Sequence, residues 1–150
     1  MTKQADIQDF LDQKTFAVVG VSRSGKKFAN MAYKALKEKG YKVFAINPKA
    51  ADIEGEPCYK DIKSLPQQID GIVIVVKPQE TEKVINDAIA VEISRVWIQQ
   101  GAESPEAINL CESNSIKVIH HQCIMMFLKP EGFPHNIHRF INTALGKMPK

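Results

Sequence analysis

The residues best suited to chemistry lie in one stretch, Gly20-Val21-Ser22-Arg23-Ser24-Gly25-Lys26-Lys27. A glycine-bearing turn that leads into a helix presents backbone N–H groups and a positive dipole end to an anion. Ser22 and Ser24 add hydroxyl donors, and Arg23 can grip a phosphate through two parallel hydrogen bonds. Lys26 and Lys27 add charge. Gly20 to Lys26 fits the start of the phosphate-loop pattern G-x-x-x-x-G-K, but Lys27 stands where Ser or Thr would hold magnesium. The later apolar run Ile72 to Val76 ends in Lys77 rather than in a metal-binding acid, which speaks against nucleoside triphosphate hydrolysis. The dinucleotide fingerprint G-x-G-x-x-G fails at Ser22, which occupies the place of its second glycine. The competing reading is a plain connecting loop with solvated lysines.

A second set, Asn47-Pro48-Lys49, follows an apolar run. NAD-binding folds place an Asp or Glu here to hold the ribose hydroxyls. A lysine instead attracts a phosphorylated ribose, as in NADP or coenzyme A. The alternative is that Pro48 only ends a strand and Lys49 is a surface charge. A third set gathers His120, His121 and Cys123, with His135 and His138 beyond. The pattern H-H-x-C…H-x-x-H lacks a recognised zinc spacing. A Cys–His nucleophile pair would need an environment that favours the thiolate. The bland reading is a buried cysteine and solvated histidines.

These residues need elements to hold them. Short apolar, β-branched runs alternate with helix-length patterns: strands at Phe16 to Val21, Lys42 to Asn47, Gly71 to Val76, Arg95 to Ile98 and Ile116 to His120. Helices are expected over Ala5 to Gln13, Lys27 to Lys39, Pro78 to Val91, Ser104 to Cys111 and Pro134 to Leu145. Gly40 suits the residue after a helix. Between Ala50 and Pro66 a long connection holds an extended Pro57-Cys58-Tyr59 and a helical turn at Asp61 to Leu65. The expected fold is α/β, a Rossmann-like three-layer arrangement with a mainly parallel five-stranded sheet and helices on both faces. Ligands of such sheets bind at the carboxyl ends of the strands, so Lys77, Pro78, Gln100 and Gly101 join the candidate residues. Trp97 reads as core, and Met125-Met126-Phe127-Leu128 as core or as an exposed patch for self-association.

The 150 residues fit a single domain over 1–150. With a net charge of +3 and Lys26-Lys27 as the one adjacent lysine pair, there is no basic stripe for nucleic acid. No apolar stretch approaches the ~20 residues of a membrane span. The polar, acid-bearing start is not a signal peptide, and three cysteines without a CxxC pair fit a reducing, cytoplasmic setting.

Several stretches together resemble the small CoA-binding domain proteins, similar to the N-terminal domain of the succinyl-CoA synthetase α subunit. They are Val18 to Arg23, Gly40 to Val43, Ile46 to Lys49, Gly55 to Tyr59, Lys77-Pro78, Trp97 to Gly101 and Cys123, in family order across residues 14 to 125. The resemblance implies coenzyme A or an acyl-CoA held by the loops after the first three strands. Gly20, Val21, Ser22 and Arg23 would line the diphosphate. Asn47, Pro48 and Lys49 would lie near the adenosine and its 3′-phosphate, with Lys77 and Pro78 flanking the cleft. The chain departs from the family at Gln122, where Arg often precedes the cysteine. Ligase activity by this chain alone is not implied, because the synthetase uses a histidine in a second domain. The expected role is a binding module with a small nucleotide ligand, no nucleic acid and no membrane, acting as a homo-oligomer or beside a partner enzyme subunit. The alternative is an NADP-linked oxidoreductase, or an acyl-CoA-handling enzyme using Cys123 and His121.

Overall fold

The computed structural model describes residues 4–22, 27–50, 52–53 and 55–128. In chain order these give α1 (Gln4–Leu11), β1 (Thr15–Val19), α2 (Phe28–Glu38), β2 (Lys42–Ile46), β3 (Asp52–Ile53), β4 (Glu56–Tyr59), β5 (Gly71–Ile74), α3 (Pro78–Ala90), β6 (Arg95–Gln99), α4 (Pro105–Ser113) and β7 (Lys117–Gln122). Single 3₁₀ turns cover Ile62–Ser64 and Ile124–Met126. The helix expected at Pro134 to Leu145 lies outside the described residues, as do Arg23, Lys26, His135 and His138.

The strands form one sheet in the order β3-β4-β2-β1-β5-β6-β7. All neighbours are parallel except β3, which runs against β4 through Asp52 and Ile53. Five strands were expected, and seven are present among the described residues. The two additions, β3 and β4, lie inside the long connection, where the two residues of β3 are too few to show a period of alternation. The order steps outward from β1 in both directions, so the chain reverses its winding between β1 and β5. This is the Rossmann-like arrangement.

Alternation along the strands divides the core. Phe16, Val18, Val73, Trp97 and Ile119 face α1, α2 and the turn at Ile124–Met126. Ala17, Val19, Ile72, Ile74, Val96 and Ile98 face α3 and α4. The central strands β1, β5 and β6 are therefore covered on both sides, which is why their runs read as nearly continuous. The first layer is aromatic: Phe10 of α1 stacks on Phe16 at 4.7 Å and meets Trp97 edge-on at 5.4 Å. Gly71 makes room for this, since a Cβ there would lie 2.9 Å from the Phe10 ring. Met125, Met126 and Leu128 are buried in the same layer, so the run is core and not an exposed patch.

The ends of α2, α3 and α4 follow one device. Gly40 N–H donates to Lys37 O and Tyr41 N–H to Leu36 O, closing α2 with Gly40 at φ +100°. The same paired bonds close α3 through Glu92 and Ile93, and α4 through Ser115 and Ile116. There the left-handed position is held by non-glycine residues, Glu92 at φ 60° and Ser115 at φ 59°. Such conformations cost an L residue about 1–2 kcal/mol, part of which glycine returns as lost chain entropy. Glu92→Gly and Ser115→Gly should each therefore raise stability by about 0.5–1 kcal/mol in urea unfolding; a loss of stability in both would contradict the stated origin of these helix ends.

Candidate functional site

At the carboxyl ends of β1, β2, β5 and β6, where the winding reverses, lies a cleft of about 1060 Å³. Ligand sites run to roughly 300–1,000 Å³, so the space suits a large cofactor rather than a lone phosphate. Its floor is apolar, made by Val19, Ile46, Val75, Val76 and Ala102.

Gly20 begins the first wall. It leaves β1 at φ +116°, and a Cβ there would lie 2.1 Å from the Val75 carbonyl oxygen. Both conformation and space therefore require glycine. Its N–H donates to Ile46 O, while Val75 N–H donates to Val19 O, so the turn is tied to β2 and β5 at once.

Two asparagines hold the loops in place. Asn30, on α2 and 1% exposed, accepts from Ser22 N–H at 2.8 Å and returns a bond from Nδ2 to Ser22 O at 3.0 Å. Asn47 uses both ends of its amide likewise: Nδ2 donates to Val21 O at 2.6 Å, and Oδ1 accepts from Lys49 N–H at 2.7 Å. The first of these bonds joins the loop after β1 to the loop after β2. Asn47 therefore acts as a brace between two walls, and its side chain is already engaged.

The helix ends differ in a way that matters for anions. Ser104 caps α4 by accepting from Ala107 N–H at 3.1 Å. At α2 and α3 the capping positions are Lys27 and Lys77, neither with a side-chain cap hydrogen bond, and both line the cleft. Two helix N-termini thus meet the cleft carrying lysines instead of carboxylates or hydroxyls. Lys49 and Lys60 add charge, and none of these four lysines forms an ion pair among the described residues. The acids in the lining are largely engaged. Asp87 receives Lys83 at 3.1 Å and Lys63 at 3.5 Å. Asp61 accepts from Ser64 N–H and Oγ, which holds its carboxyl below the ordinary range. The balance at the mouth is positive.

Ten of the sequence-derived candidates line this one cleft: Gly20, Val21 and Ser22; Asn47, Pro48 and Lys49; Lys77 and Pro78; Gln100 and Gly101. Sequence reasoning missed Lys60 and Asp61 after β4, and the face of α3 made by Gln79, Glu80, Lys83, Val84 and Asp87. Gln79, Lys83 and Asp87 recur every fourth residue, with Glu80 and Val84 beside them, which was a readable signal of one helical face. Asn30 left none, because a polar residue on a helix says nothing of a loop eight residues earlier.

His120, His121 and Cys123 do not line the cleft. Cys123 is 4% exposed, and burial pushes its thiol pKa up. Burial raises Cys58 as well, and Cys111 is pushed up to about 12. His120 and His121 meet through their Nδ1 atoms at 2.6 Å. The covalent Cys123–His121 alternative therefore lacks both a thiolate and access to the cleft. Among the described residues, no group of three or more His, Cys, Asp or Glu is arranged to hold a metal. Within the same residues, no helix is long and apolar enough to cross a membrane.

Comparison with known proteins bears on this geometry. The model of a family described as "CoA binding domain" matches residues 14–129. Acetate–CoA ligase (ADP-forming) I of Archaeoglobus fulgidus is 29% identical over 123 residues, covering 75% of this chain but 18% of the ligase. The uncharacterized protein YneT of Bacillus subtilis is 25% identical over 122 residues, covering 81% of this chain and 90% of that protein. A solved structure of a conserved hypothetical protein from Pyrococcus furiosus superposes with a TM-score of 0.71 at 35% identity, over 75% of this chain and 97% of that one.

Two measurements check the site's construction. Gly101 also has positive φ, but open space surrounds its missing Cβ, so Gly101→Ala should cost about 1–2 kcal/mol in urea unfolding. Gly20→Ala should cost at least twice that, because Val75 main chain must move; equal costs would remove the close approach from the account. The native protein should resist iodoacetamide at about pH 8 and react at its cysteines only when unfolded. Rapid native labelling of Cys123 would reopen the covalent alternative.

Proposed function

The chain belongs to the CoA-binding domain family, and from that premise we propose that the cleft at the β1/β5 reversal takes coenzyme A or an acyl-CoA. One observation carries the reading: a cleft large enough for the cofactor gathers the turn at Gly20, the N-termini of α2 and α3, and Lys49 where an NAD site would hold an acid. In this reading the diphosphate lies against the Gly20 to Lys27 loop, with Arg23 and Lys26 contributing charge, and Lys49 faces the 3′-phosphate. Lys77 and Pro78 close the opposite side, and Gln100 and Gly101 border the cleft at β6. Asn47 supports this by fixing the two phosphate-facing loops before a ligand arrives, which lowers the ordering cost of binding.

The residues lining the cleft bind and orient; among the described ones no nucleophile stands with a base beside it. Chemistry on the acyl group would then come from a separate catalytic chain or domain. The short match to an acetate–CoA ligase, under a fifth of that enzyme, supports such a division of labour.

Titration calorimetry with coenzyme A, 3′-dephospho-CoA, NADPH and NADH at one salt concentration tests the reading. Coenzyme A should bind tighter than its dephospho form, and Lys49→Ala should weaken coenzyme A about tenfold, roughly 1.4 kcal/mol, while sparing dephospho-CoA. NADPH binding without coenzyme A binding would instead assign the cleft to an oxidoreductase. Binding of none of the four would defeat the proposal.

A further inference from the structure

The wall formed by Gln99 to Ala102 carries a charged attachment outside the cleft. Glu103 accepts from Gly101 N–H through Oε1 at 2.9 Å and from His121 N–H through Oε2 at 3.1 Å. One carboxylate thus joins a residue of the cleft wall to β7. Here β7 is irregular: its register against β6 shifts between Trp97 and Gln99, and His121 sits at φ 60°. Left-handed non-glycine residues at bulges re-aim side chains, often beside functional sites. The result is a row of three groups. His120 Nδ1 and His121 Nδ1 are 2.6 Å apart, and His121 Nε2 stands 3.9 Å from the Glu103 oxygen that Gly101 uses.

Two Nδ1 atoms that close require one to donate and the other to accept. His121 is the ring in water, 61% exposed, and it faces the carboxylate, which is 13% exposed. His120 is held below the ordinary histidine range, first by burial and then by the positive charge of His121. Glu103 and Glu112 act on it in the opposite direction. A proton added to His121 keeps the ring contact, with Nδ1–H now donating to His120. It also places an imidazolium Nε2–H opposite Glu103 Oε1, in competition with Gly101 N–H.

We propose that His121 and Glu103 form a proton-operated latch on the cleft wall: charging His121 draws Glu103 off the Gly101 N–H, frees that donor and neutralises the carboxylate nearest the wall. The loss of negative charge beside the wall favours an anion, so the cleft grips an anionic ligand more firmly in mild acid. The ligand effect rests on the coenzyme A reading, whereas the movement of Gly101 does not.

The test is an NMR titration of the full chain from about pH 8 to about pH 5, the range in which histidine changes charge. The Gly101 amide proton should move upfield with the same midpoint as the His121 ring protons, and H121Q and E103Q should each abolish the movement. A Gly101 amide that stays still while His121 titrates overturns the latch. In calorimetry at the two ends of that range, the gain in coenzyme A affinity should be about fivefold larger in the wild type than in H121Q. Taking the ratio cancels the titration of the ligand's own phosphates, and equal gains would overturn the coupling. Failure of coenzyme A to bind at either pH defeats the binding proposal and leaves the Gly101 titration to decide the latch.

Discussion

The site depends on one close approach. Where β1 ends, the chain must turn back toward α2 while β5 ends beside it, and Gly20 passes against the Val75 main chain with no room for a Cβ. That contact lets the turn drop to the level of the strand ends. A bulkier residue would lift it and fill the crevice that the reversed winding opens. The hydrogen bonds on either side, Gly20 N–H to Ile46 O and Val75 N–H to Val19 O, fix the turn against both neighbouring strands.

From that point the walls are positioned by polar side chains rather than by apolar packing. Asn30 and Asn47 satisfy backbone groups of two loops that have no strand or helix partner. Loops joined in this way keep their shape without a ligand. The positive potential then comes from lysines at two helix N-termini and at the ends of β2 and β4, and a rigid frame holds those charges together despite their repulsion.

The sequence carries this design unevenly. The cleft residues after strands were legible, because an apolar run announces where a strand stops and a parallel sheet puts ligands at that end. Lys49 was legible for what it replaces. β3 was hidden, since two residues show no period. The ends of α3 and α4 were marked less clearly than that of α2, because Glu92 and Ser115 take the place that Gly40 advertises. The run Met125 to Leu128 could not be sorted into core or surface, as both ask for the same residue types; only the aromatic layer under α1 decides it. Asn30 and the row from His120 to Glu103 depend on segments meeting in space, which local pattern does not record.

One small element has a larger consequence. β3 pairs through two residues and runs against the parallel series, at the edge of the sheet beside β4. An open parallel edge would offer a row of unpaired amides and carbonyls to the next molecule. A reversed strand of two residues leaves too short a template for another chain to add itself in register. On that flank the sheet is given a stop, which disfavours edge-to-edge stacking of one molecule on the next.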